Sequence, residues 1–218
     1  MKKDNVLFSL ETGISFLVVA VMLVFLFGSP ISGFIMEASA QVSTSTSQTI
    51  SLTVNQTITL TLSTSTLGLG SLTPGSPVSA TSSATVATNA ATGWNLKVNR
   101  LSSTSSPTIA SGTITFPDAA SWNGANNATT TPGATLSFKV ANTGTDAGLY
   151  SSTFWGASDV DGTAKYAGFP TSSQTVATTS TYSGVSQTVV LRVRADSPAT
   201  QQATNYTGSI TITAITNP

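Results

Sequence analysis

The sequence predicts an all-β fold, an antiparallel β-sandwich of Ig-like or jelly-roll-like type, preceded by an N-terminal hydrophobic signal helix. Three observations carry this. Ile50, Leu52, Val54, Ile58, Leu60 and Leu62 alternate with Ser, Thr and Asn, the period of a strand with one buried face. Many such short runs follow, separated by Pro and Gly turn signals. No stretch beyond residue 40 has the 3.6-residue period of a useful helix.

The first 40 residues differ in kind. Lys2 and Lys3 precede an apolar run from Ile14 to Phe27, interrupted only by Ser15. Gly28, Pro30 and Gly33 break that run, and Ala38-Ser39-Ala40 supplies small residues at the positions of a cleavage site. The expectation is a signal peptide over 1–40 with Ala38 and Ala40 read by the peptidase. An uncleaved anchor is the alternative, since Ile14 to Ile35 is long enough to cross a bilayer. Either way residue 41 onward lies outside the cytoplasm, and the membrane is met only through this segment.

Beyond it, 41–48 is a polar arm and 49–218 is expected to form one sandwich domain, with insertions near 119–132 and 150–169. Ile50 to Leu62 opens the domain, with Asn55-Gln56 marking a bulge or a join of two shorter strands. Leu67 and Leu69 continue its alternation. Pro74-Gly75 is a turn, with Pro presetting φ and Gly supplying a positive one. Ser83 to Asn89 is a weak strand, Asn89 to Gly93 a turn, and Trp94 to Val98 a strand with Trp94, Leu96 and Val98 on one face. Ile109 to Phe116 and Ala134 to Val140 are further strands. Asn142 to Gly148 is a turn cluster, and Leu149 to Phe169 an irregular excursion rich in aromatics. Gln187 to Arg194 is a strong strand, with Arg192 and Arg194 on its polar side. Asp196 to Asn205 is a loop, and Tyr206 to Ile212 closes the chain.

Composition narrows function. Only 7% of the 218 residues are charged, and the net charge is zero. That lacks the basic footprint of a nucleic-acid binder. With no cysteine there is neither disulfide nor thiolate chemistry, and with no histidine the commonest general base and metal ligand are gone. Asp159 and Asp161 open a stretch like the start of a calcium loop, but the closing Glu is missing. They are a weak calcium candidate beside the simpler reading of a polar turn at Asp161-Gly162. No cofactor is expected. Trp122, Trp155 and Tyr166 lie in irregular segments, where exposed rings could stack on sugars or plug the sandwich ends.

Gly93-Trp94-Asn95-Leu96 resembles the Trp-x-Leu signature of WxL-type bacterial cell-surface domains. Leu69-Gly70-Ser71-Leu72-Thr73-Pro74-Gly75 resembles that family's early Leu/Phe-Gly segment, and Tyr206 to Thr213 its closing strand. The resemblance implies a β-sandwich attached non-covalently to the cell wall. The family's second Trp-x-Leu is absent, with Ile210-Thr211-Ile212 in its place. Read from the residues alone, Trp94 is a core tryptophan. The expected function is therefore a non-enzymatic, secreted structural or attachment protein of the cell surface, in contact with a wall polymer or other surface proteins. Alternatives are a subunit of a fibre-like homopolymer and a carbohydrate-binding module using the loop aromatics.

Overall fold

The computed structural model describes residues 46–100 and 108–218. The expected signal helix and the expected cleavage residues Ala38 and Ala40 lie outside the described residues. The chain divides into two units, 1–52 and 53–218. Of the first, residues 46–52 are described, and they form no strand or helix.

The second unit is all-β. Its elements are β1 (Ile58–Leu62), β2 (Val78–Thr88), β3 (Trp94–Arg100), β4 (Ile109–Ser111), β5 (Ile114–Thr115), β6 (Leu136–Val140), a single-turn helix α1 (Ser152–Trp155), β7 (Gln174–Thr178), β8 (Gln187–Ala195), β9 (Thr207–Gly208) and β10 (Ile210–Thr216). One sheet runs β1-β2-β8-β6, a second β10-β3-β7, and a small third β5-β4-β9; every pairing is antiparallel.

Alternation along the strands builds the core. Ala84 and Val86 of β2, Val189, Leu191 and Val193 of β8, and Leu136, Phe138 and Val140 of β6 pack in one buried cluster with Trp94, Leu96 and Val98 of β3 and Val176 of β7. A bulge between Leu96 and Lys97 shifts the β3–β7 register. The turn at Pro74-Gly75 forms as expected, with Gly75 at φ +79° and the Ser76 N–H bonded to the Thr73 carbonyl at 2.9 Å.

Several elements differ from expectation. β2 spans 11 residues and is central to its sheet, because Ala, Ser and Thr fit between β1 and β8 even though they give a faint apolar pattern. The stretch 109–116 is not one strand but a hairpin, turning at Gly112 with φ +61°. Residues 67–70 form no strand, although Leu67 and Leu69 pack on the core. The closing strand breaks at Ser209 into β9 and β10, so Tyr206 and Ile212 do not share one strand. β7 was not expected at all.

Chain from 119–132 and from 150–169 is knit together. Ser121 bridges Gly168 and Thr129 bridges Tyr166, while Phe138 on β6 bridges Ala167. This covers the free edge of β6 with chain from the excursion. All five β6 residues are buried as a result, including Ser137 and Lys139 on the face that alternation assigns to solvent.

Candidate functional site

Trp122, Trp155 and Tyr166, for which sugar stacking and plugging of the sandwich ends were both open, are core residues. Trp122 is 2% exposed, Trp155 0% and Tyr166 1%. Trp122 and Trp155 pack with ring centroids 4.5 Å apart, Trp155 lies 5.5 Å from Phe138, and Phe138 stacks on Phe169 at 4.5 Å. The Trp122 indole N–H donates to the Thr175 carbonyl at 2.9 Å. The insertions carry so many rings because they close a second apolar layer over β6, and no ring face of the three is open to a glycan.

Trp94 and Leu96 are buried on β3, and the Trp94 indole N–H donates to Gln187 Oε1 at 3.0 Å. That is the core reading of the Trp-x-Leu pair. Tyr206 is half-buried, edge-on to Phe116 at 5.2 Å, with its hydroxyl donating to the Gln202 carbonyl at 2.7 Å. It anchors the loop before β9.

Asp159 and Asp161 do not converge on a cation site. Asp159 Oδ1 accepts the Asn142 N–H at 2.8 Å and meets Lys139 Nζ at 2.8 Å, and Oδ2 accepts the Thr143 N–H at 2.8 Å. Burial alone would raise its pKa. Lys139 and the Thr143 and Asn142 amides outweigh burial and lower it to about 2. Asp161 turns instead to Arg194, at 3.6 Å, and accepts the Tyr166 hydroxyl at 3.2 Å. Burial first, then Asp161, pushes the Tyr166 phenol up to about 12. A calcium ion at Asp159 would have to displace a buried lysine. Among the described residues no three Asp, Glu, His or Cys side chains gather at one point.

These carboxylates have a different task. Lys139 and Arg192 are cross-strand neighbours on β6 and β8, as are Ser137 and Arg194. The excursion folds over this outer face and brings Asp159 and Asp161 to its cations. Arg192 also donates to Ser79 Oγ, at 3.2 and 3.0 Å, and to the Asp159 carbonyl. Arg192 and Arg194, on the polar side of β8, are thus part of an internal electrostatic tie. The other carboxylates are placed likewise: Asp118 meets Arg100 at 2.7 Å, Asp146 accepts the Thr188 N–H at 2.7 Å, and Asp196 accepts the Gly75 N–H at 3.1 Å.

The surface that stands out is at the other side of the sheet. The strand expected from Ile50 begins only at Ile58, whose partner Thr88 is the last residue of β2. Beyond that pair Asn89 takes over: its Nδ2 donates to the Asn55 carbonyl at 2.9 Å, and its Oδ1 accepts the Thr57 N–H at 2.6 Å. Ile50, Leu52 and Val54 are 88%, 87% and 73% exposed. A hollow of about 330 Å³ opens beside Thr57, Thr59 and Asn89, edged by the exposed Tyr182 and Val185. Sequence alternation flagged the apolar row in 50–62 but not its lack of a partner, which depends on where β2 ends.

β1 and β10 are edge strands of the two facing sheets, and they approach within 8 Å at Cα without pairing. Ile58, Leu60, Ile210, Ile212 and Ala214 along this seam pack on the core yet stay only partly buried. No family model, no curated protein and no solved structure matches this chain.

Proposed function

We propose that this chain is a non-enzymatic structural or attachment protein of the cell surface, exported through its N-terminal apolar segment. The observation that carries the reading is the employment of its ionisable groups. Asp118, Asp146, Asp159, Asp161 and Asp196 each hold a cation or a backbone N–H of the fold itself. The charges are spent on holding loops to strands. A Thr- and Ser-rich exterior over such a frame suits a scaffold.

Attachment to a wall polymer is the version that the WxL resemblance supports. In it Trp94 and Leu96 shape the sandwich, since both are buried, and contact falls to surface residues. The test is co-sedimentation of the full chain with purified cell walls, together with protease accessibility on intact cells. Retention in the pellet and digestion from outside are expected. A chain that stays in the supernatant refutes wall attachment, and one protected inside intact cells refutes surface location.

The fibre-subunit reading is favoured by a separate observation, the exposed apolar row Ile50, Leu52 and Val54 ahead of β1. The carbohydrate-module reading loses Trp122, Trp155 and Tyr166 to the core.

A further inference from the structure

We infer that Asn123 is a site of spontaneous self-modification: the Gly124 amide nitrogen closes on the Asn123 side chain and expels ammonia, and the imide opens with water to aspartate and isoaspartate. The inference goes beyond the surface-protein reading and does not depend on it.

The sequence places the reactive pair once: Asn123-Gly124 is the single Asn-Gly among the 218 residues. Glycine has no Cβ to crowd a nitrogen that turns back on the preceding side chain. Closure makes a five-membered ring within one chain, so no second molecule has to bring the atoms together. The turn demands glycine in any case, because φ at Gly124 is +83° and a Cβ there would stand 3.1 Å from Gln174 Oε1.

The fold holds the pair in a form suited to the step. Residues 122–128 form a loop pinned at both ends to one stretch of the excursion, where Ser121 bridges Gly168 and Thr129 bridges Tyr166. Within it Asn123 Oδ1 accepts the Ala125 N–H at 3.0 Å, an Asx turn. That N–H polarises the carbon under attack. It also donates to the oxygen that takes negative charge as the ring closes, as an oxyanion-hole donor does. Among the described residues the Gly124 N–H is in no hydrogen bond, so its proton is open to hydroxide. Asn127 steadies the turn: its Oδ1 accepts the Asn123 N–H at 3.3 Å, and its Nδ2 donates to the Ser121 carbonyl. Asn123 to Asn126 are exposed, so ammonia leaves and water enters without opening the fold.

The atoms balance with water alone. Hydroxide takes the Gly124 amide proton, the nitrogen bonds to Asn123 Cγ, the Cγ–Nδ2 bond breaks, and Nδ2 leaves as ammonia with a proton from water. Water then adds at Cγ, giving Asp, or at the main-chain carbonyl, giving isoAsp, whose main chain is longer by one carbon. Either product adds a negative charge to a chain whose net charge is zero. Asp161-Gly162 is the built-in comparison. Its carboxylate is a poorer electrophile than an amide and is held by Arg194 at 3.6 Å and the Tyr166 hydroxyl at 3.2 Å, so it should not react.

The test ages the full chain, freshly purified, in mildly alkaline buffer beside a synthetic peptide of residues 119–128. Peptide mapping by mass spectrometry and labelling with an isoaspartyl methyltransferase are expected to find Asp and isoAsp at position 123, with ammonia released in equal amount. The rate should rise with pH and at least match that of the peptide, while Asn142 and Asp161 stay unchanged. Hydrogen exchange at the Ala125 amide should quicken in the aged chain, because isoAsp moves its acceptor. Gly124→Ala should slow conversion severalfold. That variant also strains the turn, so Asn123→Gln is the second: it keeps a side-chain amide, needs a larger ring to close, and should not convert. Conversion severalfold slower in the folded chain than in the peptide, or only after unfolding in urea, overturns the inference. Conversion at the wild-type rate in Asn123→Gln or Gly124→Ala overturns the ring closure at Gly124. Each of these results leaves the surface reading standing.

Discussion

Removing the Asp159 carboxylate isolates the most demanding interaction in the fold. Lys139 lies mid-strand on β6 with its side chain 0% exposed, and its Nζ is held by Asp159 Oδ1 at 2.8 Å and the Ser158 carbonyl at 2.7 Å. The Tyr150 ring lies 5.6 Å away. Asp159→Ala leaves this ammonium buried with one neutral acceptor. Breaking a buried pair from one side costs about 3–5 kcal/mol. The Asn142 and Thr143 amides also lose their acceptor, but both residues are exposed and water replaces it. The expected loss is therefore about 3–5 kcal/mol and not more. Adding Lys139→Met removes the stranded charge at similar volume, and the double variant should recover to within about 2 kcal/mol of wild type. Urea unfolding followed by tryptophan fluorescence measures all four corners of the cycle. A further readout is pH. Burial already lowers the Lys139 pKa and Asp159 partly restores it. Without Asp159 the folded state releases that proton more readily than the unfolded one, so the Asp159→Ala deficit should shrink as pH rises from neutral toward 10. A deficit below about 1 kcal/mol, or a double variant as unstable as Asp159→Ala, would refute the account of Lys139 as a paired buried charge.

Other outcomes follow from named contacts. The folded Asp159 pKa of about 2, against 3.8 unfolded, means that its contribution is complete above pH 3.8 and is lost as pH falls toward 2. That loss is about 2 kcal/mol, seen in acid titration of wild type and absent from Asp159→Asn. Gly93→Ala should destabilise by about 2 kcal/mol or more in thermal unfolding, because φ is +78° and the new Cβ would stand 2.5 Å from the Thr179 carbonyl oxygen. Trp155→Ala should cost about 3–5 kcal/mol in the same assay by emptying the aromatic layer over β6. Asn89→Ala should cost only about 1 kcal/mol and speed hydrogen exchange at the Thr57 amide, its direct donor.

Alternation was legible wherever one face of a strand is wet. Trp94 to Val98 and Gln187 to Arg194 were read almost to their ends, since β3 and β8 place Trp94, Leu96, Val98, Val189, Leu191 and Val193 inward. It failed where both faces are covered or neither. The Lys139 burial was hidden because a charged residue at a polar-phase position of β6 reads as solvent-facing, and only the excursion 150–169 reverses that. The two readings of Trp122, Trp155 and Tyr166, sugar contact or plug, stayed open for the same reason. Loop composition says that a segment is irregular, not that it lies over a strand. β7 went unread because its bulged register against β3 spoils period two.

The opposite failure, at Ile50 to Val54, is the instructive one. There the pattern is as regular as any strand in the chain, and the structure leaves it unpaired. Alternation records that a segment has one apolar face; it does not record which molecule covers that face. Inside the domain the two coincide, because neighbouring strands of the same chain are at hand. Ahead of Ile58 they separate, because β2 stops at Thr88 and Asn89 closes its end with side-chain bonds that a continuing strand would have made from its backbone. A chain that places charge so sparingly leaves this apolar row without the Lys or Glu that would keep it solitary.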